Sequence, residues 1–160
     1  RHPASAMRLV TLLLALSLIA GCDGGGTNGA SLTQSRLESA VASGATSFDF
    51  AADPAFAWDR MYVFGCYSSR ASVEGALGFS WPDFNKTTIE SSDSVVLVVF
   101  VKNGKVISWY EQPRKIGLSH LANDKGYSRS EALFIVDRSS GWVEFKSPTA
   151  ATVPATKAAG

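Results

Sequence analysis

The sequence predicts an α+β fold, an antiparallel sheet of five or six strands with one or two short helices packed on one face. Three observations lead there. Val95 to Val101 is a continuous run dominated by β-branched residues, the composition of a central strand covered on both sides. Asn103-Gly104 comes next and supplies the two positive-φ residues of a type I′ turn, after which Val106, Ile107, Trp109 and Tyr110 return as the antiparallel partner. Ala132 to Asp137 and Trp142 to Lys146 repeat the arrangement around Arg138-Ser139-Ser140-Gly141.

The chain opens with residues 1–6, which precede the first Met and read as an upstream extension of the gene start, leaving Met7 as the initiator. Residues 7–21 then have one basic residue (Arg8), an apolar run (Leu9 to Ala20) and small residues before Cys22, the layout of a secretory signal peptide. An ordinary core helix would keep a polar face, and this run has only Thr11 and Ser17. A membrane span is excluded by length, since a helix from Leu9 to Ala20 covers about 18 Å of a hydrocarbon core about 30 Å thick.

The ending Ile19-Ala20-Gly21-Cys22 resembles the lipobox of bacterial lipoproteins. The resemblance implies that the Cys22 thiol is joined to a diacylglycerol, that a peptidase cuts just before it, and that the new amino terminus is often acylated as well. Ile19, Ala20 and Gly21 would then be the recognition positions. Two or three fatty chains, at about 0.8 kcal/mol per buried methylene, anchor stably where one chain does not. The implied location is the cell membrane or the outer membrane, with the domain facing the periplasm or the exterior. In enterobacteria an Asp at the position of Asp23 resembles the signal that retains a lipoprotein on the inner membrane.

Removing 21 of 160 residues leaves a mature chain of 139, enough for one domain around one core. Of 15 Lys and Arg, Arg1 and Arg8 leave with the signal, so 13 face 14 Asp and Glu. Near-neutral charge, with no basic cluster beyond Arg114-Lys115, argues against a nucleic-acid partner. With Cys22 lipidated, Cys66 has no partner for an intramolecular disulfide and reads as a small buried residue between Gly65 and Tyr67.

Residues 22–30 are Gly-rich and read as a flexible tether; eight such residues after Cys22 reach roughly 16 Å. No Lys-Ser/Thr follows the glycines, so they do not form a phosphate loop. The single domain is expected over residues 31–147. Ser31 to Val41 is a short helix with a Ser31/Gln34 capping box, a stripe of Leu37, Ala40 and Val41, and a stop at Gly44. Thr46, Phe48 and Phe50 alternate with polar residues in a half-buried strand that Asp53-Pro54 breaks. From Met61 to Tyr67 the chain is apolar on both phases, as in a strand covered on two faces. Its W-D-R-M-Y-V-F portion resembles a segment of small secreted and lipid-anchored bacterial proteins without known activity. Ser69 caps a second helix carrying Val73, Ala76 and Leu77 and ended by Gly78. Arg114 to Ser130 is expected to be an exposed loop, and residues 148–160, rich in Ala, Thr and Pro, a disordered tail.

Chemistry-bearing motifs are few. His120 is the mature chain's one histidine, too little with one Cys for a zinc site, and no metal or cofactor is expected. A Cys66–His120 nucleophile pair, or scattered carboxylates, would be the basis of a small envelope hydrolase, the alternative to a binding role. Gly117-Leu118-Ser119-His120-Leu121 begins like a nucleophile elbow and lacks its final Gly. The aromatic excess offers a recognition patch of Trp58, Asp59, Arg60, Tyr67 and Trp81, provided the aromatic rings are exposed. The resulting expectation is a non-catalytic module that binds another envelope protein, in assembly or as an inhibitor or immunity factor.

Overall fold

The computed structural model describes residues 27–52 and 56–148, with side chains from Gly29. The signal segment, Ile19, Ala20, Gly21 and Cys22 lie outside the described residues, as do the Asp53-Pro54 break and the tail beyond Pro148. In chain order, α1 (Thr27–Ala42) leads to β1 (Ser47–Asp49), β2 (Arg60–Phe64) and α2 (Arg70–Leu77). The hairpin β3 (Val95–Lys102) and β4 (Lys105–Pro113) comes next, then the short β5 (Ile116–Gly117) and β6 (Tyr127–Ser128), and the hairpin β7 (Leu133–Asp137) and β8 (Val143–Lys146).

The fold is α+β, with the strands divided between two sheets of four in the orders β4-β3-β2-β6 and β1-β7-β8-β5. This is two sheets rather than one of five or six strands, and the second contains a parallel pair, β5 with β8. The two additional edge strands, β5 and β6, come from residues 114–130. The expected exposed loop instead buries Ile116, Leu118 and Leu121 and supplies an edge strand to each sheet. These residues are spaced too irregularly to show a helical or strand period, so polarity outweighs them when the sequence is read alone.

In the first sheet β3 lies between β2 and β4, and every residue from Val96 to Val101 is buried. One face carries Met61, Val63, Val96, Val98 and Phe100 into a cluster completed by α1 and the inner face of the second sheet. The opposite face carries Tyr62, Phe64, Leu97 and Val99 against α2 and the turn after it. Burial on both sides is why β3 needs no polar alternation. Asn103 and Gly104 have φ of 51° and 69°, as the type I′ turn requires. Beside the turn, the Asp59 carboxylate accepts the Asn103 N–H at 2.7 Å.

The helix α1 begins at Thr27, inside the stretch read as a tether, and extends its buried stripe to Ala30 and Thr33 ahead of Leu37. It is docked on β4: the Ala30 N–H donates to Ser108 Oγ at 3.1 Å and the Gln34 side-chain amide to the Glu111 carbonyl at 3.4 Å. It ends in paired bonds from Gly44 N–H to Val41 and from Ala45 N–H to Ala40, with Gly44 at φ 80°. The shorter α2 has the expected cap: Ser69 Oγ accepts the Ser72 N–H at 3.2 Å. Glu74 then ties α2 to the next turn, accepting the Trp81 N–H and pairing with Arg70, both at 2.9 Å.

Candidate functional site

The outer face of the second sheet sets exposed apolar residues beside charged ones. Phe134, Val136 and Phe145 point inward, and strand alternation sends Leu133, Ile135, Asp137, Glu144 and Lys146 outward. The cross-strand register sets Ile135 beside Lys146 and Asp137 beside Glu144, with Gly117 of β5 on the other side of Glu144. Leu133 and Ile135 remain 44 % exposed, and Trp142, immediately before β8, is 71 % exposed.

A cleft of about 600 Å³ opens at the β5 edge of this face, lined by Arg114, Lys115, Gly117, Ser119, His120, Trp142, Val143 and Glu144. Gly117 lets β5 lie close against β8 here: a Cβ at that position would stand 2.6 Å from the Val143 carbonyl oxygen. Arg114 is fixed at the mouth through its N–H to the Ser94 carbonyl (3.0 Å) and its guanidinium to the Asp93 carbonyl (2.9 Å). Among the described residues neither Arg114 nor Lys115 forms an ion pair. Glu144, by contrast, is shared between His120 Nε2 at 3.5 Å and Lys146 Nζ at 3.7 Å. Lys146 also bonds Asp137, which together with the Ser139 N–H holds the Asp137 carboxyl well below the usual carboxylate range. The carboxylates of this face are therefore largely answered by their own cations, whereas the two cations at the mouth are not.

No family model, curated protein or solved structure matches the chain.

The five residues of the sequence-derived patch are not brought together. Trp58 is buried in one cluster, with the Arg129 guanidinium 5.2 Å above its ring, and Trp81 is buried in the other, edge-on to Trp109 at 5.9 Å. Arg60 donates to the Lys125 carbonyl at 2.6 Å, and Asp59 is engaged at the β3–β4 turn. Only Tyr67, 62 % exposed, meets the condition of an exposed ring. The correction has a simple cause: Trp58 and Trp81 flank the two faces of one double-covered sheet, so each is drawn into a different core.

The residues named for hydrolysis are also engaged separately. The Cys66 thiol faces the carbonyls of Asp93 and Val95 at 3.3 and 3.2 Å, whereas His120 faces Glu144. Among the described residues no group of three His, Cys, Asp or Glu is placed to hold a metal ion, and no helix is long and apolar enough to cross a membrane.

The cleft residues Trp142, Glu144 and Gly117 escaped the sequence reading. A usable signal was present: Val143 and Phe145 fix the inward phase of β8, which turns Trp142 outward.

Proposed function

We propose that this chain is a lipid-anchored protein of the bacterial cell envelope, whose α+β domain is a non-catalytic module that binds another envelope protein. Trp142 carries the reading. A tryptophan left 71 % exposed at the mouth of a cleft, on a face that also exposes Leu133 and Ile135, has the residue types and placement of a binding hot spot. The cations beside it add the polar rim such sites use.

The anchor is Cys22, joined to a diacylglycerol before the cut between Gly21 and Cys22, as the lipobox resemblance implies. Because α1 starts five positions after Cys22, the domain would sit within about 17 Å of the acyl chains even with the intervening residues extended. It would face the periplasm or the exterior, presenting the β5–β8 cleft to a neighbour in assembly or to a toxin or enzyme to be restrained. Two measurements test this. Intact mass of protein made in its host is expected to show a chain beginning at Cys22 and carrying acyl chains. Affinity capture from the same envelope is expected to retain one partner in stoichiometric amount, and Trp142→Ala to lose it. An uncut chain in the soluble cell interior would remove the anchor, and capture indifferent to Trp142 would remove the site.

The hydrolase alternative draws on one observation, the His120–Glu144 pair at the cleft. Turnover of cell-wall material by the pure protein, abolished by His120→Ala, would replace the binding reading.

A further inference from the structure

The cleft has an electrostatic asymmetry that narrows what can occupy it. One wall is the adjacent pair Arg114 and Lys115, with no carboxylate partner among the described residues. The other is Trp142, with Glu144 behind it. Desolvating two unanswered cations against a neutral partner would be costly, so a ligand that covers the cleft must carry negative charge of its own. The indole needs an apolar group to cover it.

Glu144 separates the kinds of anion. Its carboxylate lines the same cleft; His120 and Lys146 offset part of its charge, and what remains repels a doubly charged phosphate more than it repels a single carboxylate. A peptide avoids this, because its carboxylates are single charges spread along the chain and its amide N–H groups can face Glu144. Backbone strand addition is a poor fit at this edge: β5 has two residues, and the Ile116 carbonyl already accepts the Leu118 N–H at 2.9 Å. Recognition must therefore run through side chains.

We propose that the cleft between Arg114-Lys115 and Trp142 receives an acidic segment of a partner protein, its carboxylates on the two cations and an adjacent apolar side chain on the indole. The Arg114 guanidinium is preorganised for this by its bond to the Asp93 carbonyl, just before β3, which lowers the side-chain freedom lost on binding. The inference rests on the binding reading above and specifies the chemistry of the partner.

The test presents the full chain, in detergent, with three sets of short synthetic peptides, acidic, neutral and basic, all carrying the same Leu and Phe residues. The acidic set is expected to bind at least about tenfold more tightly than the basic set, with an advantage that shrinks as salt rises. Arg114→Ala/Lys115→Ala is expected to lose about tenfold on the acidic set at unchanged melting temperature, and Trp142→Ala to weaken all sets. Lys115→Glu alone reverses one exposed charge, leaves the pair with Arg114 at net zero, and is expected to abolish the preference for the acidic set. Equal binding of acidic and basic sets, binding of none, or an unaffected double variant would overturn the inference. So would displacement of the acidic peptides by inorganic phosphate, or preferential capture by phosphatidylglycerol vesicles, because either assigns the cations to a phosphate group. Equal binding of the sets together with loss in Trp142→Ala leaves protein binding standing without the acidic segment. Binding indifferent to Trp142 defeats the binding reading itself.

Discussion

The two sheets are built from similar residues and end in different surroundings. The first is sealed on both faces, by the second sheet and α1 on one side and by α2 with its succeeding turn on the other. The second sheet is sealed on its inner face alone; its outer face carries apolar residues into solvent beside charged ones. Both β3 and β7 are apolar in consecutive positions, yet Val96 to Val101 are all buried whereas Leu133 and Ile135 are not. A run apolar on both phases therefore does not by itself mean a strand with two covers: β3 has both, whereas β7 leaves Leu133 and Ile135 partly exposed.

The sharpest way to break this contrast is to truncate one residue on each side of it. Phe100 is fully buried, tilted against Trp58 at 5.6 Å and edge-on to Phe56 at 4.9 Å. Phe100→Ala is expected to cost about 3–5 kcal/mol in urea unfolding. If Ile135→Ala costs as much, the outer face is not free.

A smaller effect is expected at the β5 edge. Gly117→Val places atoms against the Val143 carbonyl and must push β5 off β8, for a loss of about 1–3 kcal/mol. Binding at the cleft should fall with it, since the cleft is lined from both β5 and β8. A variant as stable as the parent would show that β5 is not held at that distance.

Acid sharpens the comparison through one carboxylate on each side. Glu74, on the sealed side, is held below the usual carboxylate range by the Trp81 N–H first, and also by Arg70. Asp137, on the open side, is lowered by Lys146 first and then by the Ser139 N–H. For both, the unfolded chain binds the proton at higher pH than the folded one. Their contribution is therefore complete above the unfolded carboxylate values and is lost as pH falls through the folded ones. Stability should decline as the solution is acidified below about pH 5. Glu74→Gln and Asp137→Asn should each flatten part of that decline, read from melting temperature against pH. A profile unchanged in both variants would contradict the assignment.

Smallest of all, Leu133→Ser and Ile135→Ser are expected to change stability by no more than about 0.5 kcal/mol while weakening partner capture. Losses of core size in urea would mean that these side chains are covered.

Much of this fold was legible in the chain itself. The β3–β4 hairpin was, because turn chemistry at Asn103-Gly104 and β propensity agree, and so was α2, because Ser69 and Gly78 mark its ends. The start of α1 was not: Thr27 to Ala30 read as linker, and Gly29 and Ala30 meet Phe56 and Ser108 of β4, contacts distant in the chain that a local pattern does not carry. The partition into two sheets was hidden as well, because strand patterning does not say which hairpins share a sheet, and the edge strands β5 and β6 lie in a polar segment where Ile116, Leu118 and Leu121 are isolated apolar residues. The site was missed for a related reason. Tryptophans at 58 and 81 looked like a surface pair because composition does not say which side of a sheet a ring faces, whereas the alternation around Trp142 does.

The most direct test of the central claim is photo-crosslinking in the living host. A photoreactive residue would be placed at Trp142 or Ile135 on the open face, and at exposed Ala71 in α2 on the sealed side. The account predicts one dominant adduct from positions 142 and 135 and none from 71. Adducts from position 71 alone, or equally from all three, would contradict it.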